Sequence, residues 1–421
     1  MLIFLALCAL LAATSFLAWL YIFFQPARPW DFWPVGDADP LPADSIAHWP
    51  AVRVLVPARN EADSLPQTLP ALLNQDYSGD FRVTLIDDRS SDGTADVARK
   101  LATDLKREDR LQVLTGASLP EGWVGKMWAL EQGVRAALRG NGEGEKGREG
   151  ETAEYVLLTD ADILHAPNSL RRLVLESLAG KLGLNSRMAL LRCVSPAEKL
   201  LIPAFVFFFN LLYPMRRVNN PADPLAAAAG GCVLLSREAL EKIGGGLSCI
   251  RNEIIDDVNL GRQVKKTGLP IRLSLSAREV VSLRDYPVLA DIWKMVTRTA
   301  FTELKYSWLR LAGAMLGLGF IFIVPILAVI GGAIGLFLNH EPGYHLPLLA
   351  VLAHGVMALV WMRLVYTPAT LFFRLPMRYA WSLPIAGIIY GLMTLDSALR
   401  HARGLGPGWR DVKAPIPMAP K

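Results

Sequence analysis

Cysteine is scarce in this chain, with four among 421 residues, and Cys8, Cys193, Cys232 and Cys249 form no CxxC pair. That spacing indicates neither a disulfide framework nor a zinc site. There is no dense Lys/Arg block interleaved with aromatics, and 44 basic against 39 acidic residues leave a formal net charge of only +5. This pattern argues against nucleic acid as a partner and is better matched to anionic lipid and phosphorylated substrates. No internal repeat is evident. Charge is missing altogether from two long stretches, residues 1–24 and 311–338. Hydrophobic residues make up 52% of the chain and the mean hydropathy is +0.29, above what a soluble globular chain usually carries. Part of the protein therefore belongs in lipid, and the remainder is long enough for one large soluble domain.

Residues 1–24 are long enough to cross the roughly 30 Å hydrocarbon core of a bilayer. They read as an uncleaved N-terminal transmembrane anchor. A cleaved signal peptide is the competing reading, but no Lys or Arg and no small-x-small cleavage site precedes Gln25. Residues 25–50 then form a linker, 51–305 a soluble domain, 306–400 a C-terminal membrane region with two or three helices, and 401–421 a basic tail. Within the membrane region 311–338 is the strongest span, and 346–362 and 379–395 are shorter apolar runs. Arg363, Arg374 and Arg378 follow the run at 346–362, whereas 339–345 holds no Lys or Arg. The positive-inside bias puts these arginines, and with them the soluble domain, on the cytoplasmic face. A fully spanning run at 379–395 would export the tail with Arg400, Arg403, Arg410 and Lys413, so that run either spans or re-enters.

Inside the soluble domain, β-branched runs at Val52 to Val56, Phe81 to Ile86 and Tyr155 to Thr159 read as buried strands. Helical spacing at 64–74 and 94–106 separates them, which gives an α/β domain with a mainly parallel sheet. Ligands of such sheets gather at the carboxyl ends of the strands, where Asp87-Asp88 and Asp160-Ala161-Asp162 fall. Carboxylates two residues apart in extended backbone point to one side, an arrangement that suits Mg²⁺ or Mn²⁺ on a diphosphate, although a solvated turn is the commoner fate of an isolated Asp-x-Asp. Asp92 and Thr94 suit the N-cap of the next helix, and Asp88 is better placed to accept hydrogen bonds from a nucleoside. A third pair, Asp256-Asp257, precedes residues 258–266, where Asp256 either supports Asp257 or caps a helix. Gly230-Gly231 before an apolar strand permits close approach of a ligand or a tight turn. The apolar stretch 195–215 reads as an interfacial helix beside the site, with buried core packing as the alternative. The stretch 140–150 (GNGEGEKGREG) reads as a mobile surface loop without chemistry.

Five segments recur in order over roughly residues 52–298: Val56-Pro57-Ala58-Arg59-Asn60-Glu61, Ile86-Asp87-Asp88-Arg89-Ser90-Ser91-Asp92-Gly93-Thr94, Gly125-Lys126 with Ala129-Leu130 and Gly133, Thr159-Asp160-Ala161-Asp162, and Ile255-Asp256-Asp257-Val258-Asn259-Leu260. The ordered set resembles family 2 glycosyltransferases, inverting nucleotide-sugar enzymes with a GT-A (nucleotide-diphospho-sugar transferase) fold. Pro120-Glu121-Gly122-Trp123-Val124-Gly125-Lys126, Leu201-Ile202-Pro203-Ala204-Phe205 and Arg298-Thr299-Ala300-Phe301 look like the hopene-associated branch. The resemblance implies that Pro57, Ala58, Arg59 and Glu61 line the nucleotide pocket and Asp88 binds the uracil of a UDP-sugar. By the same resemblance Asp160 and Asp162 hold a divalent metal and the donor diphosphate, Lys126 contacts phosphate, and Asp257 is the general base. It further implies a bacterial-type inner-membrane, multi-pass enzyme that moves one sugar to a lipid, with a hopanoid as the branch's acceptor. Processive polysaccharide synthases carry a Gln-x-x-Arg-Trp motif where Met295 to Arg298 here reads MVTR, followed by Thr299, a departure that weighs against polymer synthesis. A non-catalytic membrane protein that binds nucleotide-sugars is the remaining alternative.

Overall fold

The computed structural model describes residues 1–38, 46–139 and 152–405, together with the backbone of two paired two-residue strands, Gly408–Trp409 and Val412–Lys413. The expected surface loop at 140–150 and most of the basic tail lie outside the described residues.

The strands are β1 (Val52–Ala58), β2 (Phe81–Asp87), β3 (Leu111–Thr115), β4 (Tyr155–Thr159), β5 (Ile163–His165), β6 (Leu184–Met188), β7 (Cys232–Ser236), β8 (Ile271–Leu275) and β9 (Val280–Ser282). Seven of them form one sheet in the order β3-β2-β1-β4-β7-β6-β8. Only β7 runs against its neighbours, pairing antiparallel with β4 and β6. β1, β4 and β6 are almost wholly buried, as a sheet covered by helices on both faces requires. β1 lies between β2 and β4, and Ala58 is level with Asp87. The chain's progress across the sheet reverses at β1, so the carboxyl ends of β2, β1 and β4 share one rim at the topological switch point. β5 and β9 make a separate antiparallel ribbon beside that rim.

The helices are α1 (Leu2–Phe24), α2 (Leu65–Leu73), α3 (Thr94–Asp104), α4 (Gly125–Arg139), α5 (Ser169–Gly180), α6 (Pro196–Leu212), α7 (Met215–Val218), α8 (Arg237–Lys242), α9 (Asp256–Lys266), α10 (Leu289–Thr297), α11 (Ala300–Glu303), α12 (Trp308–Leu318), α13 (Val324–Leu338), α14 (Pro342–Phe372) and α15 (Leu383–Ala402). A π-helical turn, Gly319–Ile323, joins α12 to α13. Three helical stretches among the described residues are long and apolar enough to cross a membrane: Leu2–Phe24, Trp308–Leu338 and Pro342–Phe372. α14 extends well past the run seen in the sequence, because Arg363 is accommodated with its guanidinium 5.2 Å from the Trp381 ring and Pro368 does not end the helix. The fourth run becomes α15, which is not among the three; it carries Asp396 and Arg400 and packs against α10, α11 and α12.

Glycine sets how closely the long apolar helices approach. A Cβ at Gly332 would come within 2.8 Å of Leu352, and one at Gly355 within 2.9 Å of Ala328, so α13 and α14 touch along a small-residue seam. The first part of the expected linker is tied to the domain. Val35 bridges Leu275 beside β8, and the buried Asp37 carboxylate accepts hydrogen bonds from Ser276 Oγ and the N–H groups of Ala277, Arg278 and Glu279 at 2.7–2.9 Å. α1 is thus held at a fixed position relative to the sheet. α6 is core on one side: Leu201, Ile202, Ala204 and Phe207 are fully buried, Phe207 packs on Tyr366 of α14, and Tyr390 of α15 donates its hydroxyl to Leu201 O at 2.9 Å. Core packing, rather than an exposed interfacial position, describes this face of α6.

Candidate active site

The rim built by β2, β1 and β4 places the first two aspartate clusters side by side. Asp88 N–H donates to Ala58 O at 2.8 Å, which locks the end of β2 onto the end of β1. Beyond the strands the two loops are cross-tied. Asn60 N–H donates to Ser90 Oγ, Ser91 N–H to Asn60 Oδ1, Glu61 N–H to Thr94 Oγ1 and Ala62 N–H to Asp92 Oδ2, all at 2.9–3.0 Å. Asp92 also accepts from Thr94 N–H at 3.0 Å, but the N-cap of α3 is Gly93, so Asp92 ties the loop from one residue outside the expected capping position. Asn60 and Arg89 adopt left-handed backbone (φ 54° and 55°), which turns both loops back across the rim. Arg59 reaches across to the buried Asp88 carboxylate at 3.0 Å, and the Glu61 carboxylate accepts from Ser64 Oγ at the start of α2. Gly116, after β3, lies so near that a Cβ there would stand 3.1 Å from Asp87 O and 3.5 Å from Asp88 Oδ1. No pattern in the sequence marks Gly116; its closeness comes from β3 pairing with β2.

Asp160 leaves the end of β4, and Lys126, on the first turn of α4, sits 2.8 Å from it and 3.5 Å from Asp256. This is not a surface lysine. Burial disfavours its ammonium, but Asp160 and Asp256 outweigh that effect and hold the pKa above its ordinary value. Pro57, Lys126, Asp160, Gly230, Asp256 and Asp257 face one narrow crevice, so the third aspartate cluster joins the second. α9 begins at Asp256 without a side-chain cap, which leaves the Asp256 carboxylate to face Lys126. The capping alternative for Asp256 is therefore not the arrangement found. Asp257 accepts from Gly230 N–H at 2.9 Å and from Val258 N–H at 2.8 Å. Burial and the Asp256 carboxylate push its pKa up to about 7, against the pull of those donors and of Lys126. Gly230-Gly231 forms the tight turn before β7, and the Gly230 N–H orients Asp257 while both glycines border the cavity. Thr159 Oγ1 fixes that turn by donating to Gly231 O at 2.9 Å, with the buried His165 ring 2.9 Å behind it.

Asp160, Asp162, Asp256 and Asp257 line a cavity of ≈1040 Å³. Arg284 approaches Asp162 at 3.9 Å on the same wall. Burial and Asp160 raise the Asp162 pKa, and Arg284 and Lys126 oppose them. Arg284 was not found from the sequence. It arrives because β9 pairs with β5, just beyond Asp162, and Leu283 N–H donates to Asp162 O; a three-residue strand gives little sequence signal. The loop after β9 is tied in turn to α6, whose buried Glu198 accepts from Tyr286 N–H at 2.8 Å. The same cavity has an apolar wall formed by Phe205, Phe208 and Phe209 of α6, Leu318 of α12, Ile321 of the π-helical turn and Tyr390 of α15, while α10 and α11 add Asp291, Lys294 and Glu303.

Among the described residues no group of three or more His, Cys, Asp or Glu forms a ready metal cage. Two carboxylates facing the same cavity nevertheless suit Mg²⁺ or Mn²⁺, since such ions commonly take one or two protein carboxylates and fill the other positions with substrate phosphates and water. The residues fit a metal that arrives with its substrate.

Residues 53–244 match the family described as Glycosyl transferase family 2. The matched region contains the Pro57–Glu61 loop, Asp88, Lys126, Asp160, Asp162 and Gly230, and it ends before Asp257. A curated relative, Glycosyltransferase AglE of Haloferax volcanii, is 30% identical over 90 residues, 21% of this chain and 29% of that protein. The matching segment thus spans less than a third of its length. Among solved structures, the mannosyltransferase PcManGT from Pyrobaculum calidifontis, in complex with GDP-Man and Mn²⁺, aligns over 93% of this chain and 98% of its own, at 20% identity and a TM-score of 0.49. Glucosyl-3-phosphoglycerate synthase from M. tuberculosis, with Mn²⁺, UDP and glucosyl-3-phosphoglycerate, aligns over 61% and 79% at 19% identity and a TM-score of 0.37. What those proteins bind is a statement about them. The region at 53–244 carries the family 2 glycosyl transferase signature on a GT-A-like, mostly parallel sheet.

Proposed function

We propose that the protein is a membrane-bound inverting glycosyltransferase that moves one sugar from a nucleotide-sugar, UDP-linked in the preferred reading, to the hydroxyl of a lipid. A hopanoid is the acceptor suggested by the branch resemblance. The observation that carries the proposal is one cavity lined both by carboxylates, Asp257 among them, and by the phenylalanines of α6. A soluble sugar acceptor would leave its hydroxyls unpaired against the apolar wall, at about 1–3 kcal/mol for each buried group. A lipid alcohol suits both kinds of lining.

In this reading the Pro57–Glu61 loop and Asp88 receive the nucleoside, and Lys126 lies beside the diphosphate. Asp257, oriented by Gly230 N–H, takes the proton of the acceptor hydroxyl. The hydroxyl oxygen bonds to the anomeric carbon from the side opposite the diphosphate, the bond from that carbon to the diphosphate breaks, and the configuration inverts. The nucleoside diphosphate leaves with the electron pair, and no covalent sugar–enzyme bond forms. A divalent ion held by Asp160 and Asp162 would neutralise charge on the departing diphosphate. In this reading the soluble domain faces the cytoplasm from a bacterial-type inner membrane, as the positive-inside bias of Arg363, Arg374 and Arg378 suggests.

The test is UDP release by the purified full chain with UDP-sugars, extracted membrane lipid and Mg²⁺ or Mn²⁺. The expected result is release that depends on the lipid and is accompanied by a hexose-sized mass increment on one lipid species. Release that is indifferent to lipid, with no lipid gaining mass, sinks the acceptor assignment.

A further inference from the structure

We infer that the apolar half of the cavity is an acceptor chamber that admits a hydroxyl-bearing lipid from within the bilayer, its hydroxyl at Asp257 and its body against Phe205, Phe208, Leu318 and Ile321. The inference rests on the transfer reading and adds where the acceptor lies, how it arrives and which residues select it.

Three observations carry it. The first is depth. Ala314, Leu318 and Ile321 line the chamber and belong to the membrane-crossing stretch Trp308–Leu338. At about 1.5 Å per residue they stand roughly 10–20 Å along that stretch from Trp308. The chamber therefore reaches well into the level of the lipid tails while its carboxylates stay at the sheet.

The second observation is how the wall is made. Gly319–Ile323 is a π-helical turn, an irregularity that is frequent at functional sites. It falls where this helix lines the cavity. Ser15 Oγ of α1 donates to Phe320 O at 2.9 Å, and Trp19 Nε1 donates to Ile321 O at 3.1 Å. In lipid, backbone groups released from a regular helix need such partners. α1 thus pins the turn that aims Leu318 and Ile321 inward.

The third is rigidity. Phe208 packs edge-on against Tyr390 and Phe322, with ring centroids 5.1 and 6.0 Å apart. α15 comes so close that a Cβ at Gly387 would stand 2.5 Å from the Phe322 ring. Walls packed in this way hold a defined shape, and a cavity of ≈1040 Å³ is at the upper end for a small-molecule site, enough for a large apolar body.

The experiment uses the full chain in lipid nanodiscs and hexadecanol with a mid-chain diazirine as probe, with crosslinked peptides mapped by mass spectrometry. Label is expected on residues 205–212 and 314–321. It should fall at least fivefold in Ala314→Trp and in the milder Leu318→Phe, and stay at the wild-type level in Leu309→Trp, whose residue is 84% exposed. UDP-glucose and GDP-mannose titrations of the same proteins report the donor side independently. Label spread evenly over α1 and α14, or indifferent to both filling variants while nucleotide-sugar binding is intact, overturns the chamber and leaves the transfer reading standing. Label in the chamber of a wild-type protein that binds neither nucleotide-sugar overturns the transfer reading, and the acceptor role with it.

Discussion

The two halves of the cleft are built in opposite ways. On the side proposed for the nucleotide, four hydrogen bonds of 2.9–3.0 Å cross-tie the Pro57–Glu61 loop to the loop after β2, and the buried Asp88 is held by Arg59. On the chamber side, α6, the π-helical turn and α15 meet through aromatic edges and glycine contacts, with few polar ties such as Tyr390 to Leu201 O. A polar ligand with many donors and acceptors needs groups fixed in advance, because each unpaired group costs free energy. An apolar body needs only shape and dryness. The difference implies that substitutions on the two sides act on different kinetic constants, and the predictions below are chosen to break or sharpen that separation.

The largest effect belongs where the halves meet. Asp257→Asn removes the base and should lower turnover by roughly 10²–10⁴-fold, read as UDP release, while nucleotide-sugar binding by calorimetry persists. Turnover within a few-fold of wild type would remove Asp257 from the mechanism. The next effect is on pH. With the Asp257 carboxyl pushed up to about 7 by burial and by Asp256, the base is ionised only above that value. Turnover should rise about tenfold per pH unit on the acid side and level off above it. Asp256→Asn takes away a neighbouring negative charge, so the Asp257 pKa falls and the acid limb moves to lower pH. A limb that stays in place in the variant would mean that another group sets it.

How much of this was legible in the sequence follows the same division. The nucleotide side is encoded locally: β-branched runs end on aspartates, β1, β2 and β4 are neighbours, and the loop residues that tie them lie within a few positions of the strand ends. Asp87-Asp88, Asp160 and the parallel sheet could be read directly for that reason. Lys126 and Asp257 came only through the ordered resemblance, since nothing in a single helix start says that it will meet Asp160. The chamber was illegible. Its residues come from α6, α12, the π-helical turn and α15, and packing between apolar helices leaves no periodic sign of which face encloses a cavity. α6 shows the limit well: Pro203 and a short apolar run admitted either core or interface, and the helix proves to be core on one face and cavity wall on another.

A smaller effect tests the nucleotide side alone. Arg59→Ala strips the 3.0 Å partner from Asp88, which is only 4% exposed, at a cost of about 1–3 kcal/mol. The KM for the nucleotide-sugar should rise and the Tm fall, with the KM for the lipid unchanged. If both KM values rise together, the two halves are mechanically one, and the separation fails.

The smallest effect tests the pin. Trp19→Phe keeps an aromatic ring against Phe322, 5.8 Å away in the native protein, and removes only the Nε1–H that serves Ile321 O. Hydrogen bonds between membrane helices contribute about 0.6 kcal/mol on average, so Tm should barely move and the KM for the lipid should rise about two- to threefold. The KM for the nucleotide-sugar should not change, because α1 shares no contact with the Pro57–Glu61 loop or Asp88 among the hydrogen bonds and ring contacts described. A merely structural role for Trp19 would lower Tm and leave both KM values alone, and that outcome would detach α1 from acceptor selection. A change confined to the lipid KM would instead show that a helix resembling a simple anchor shapes the chamber wall from behind.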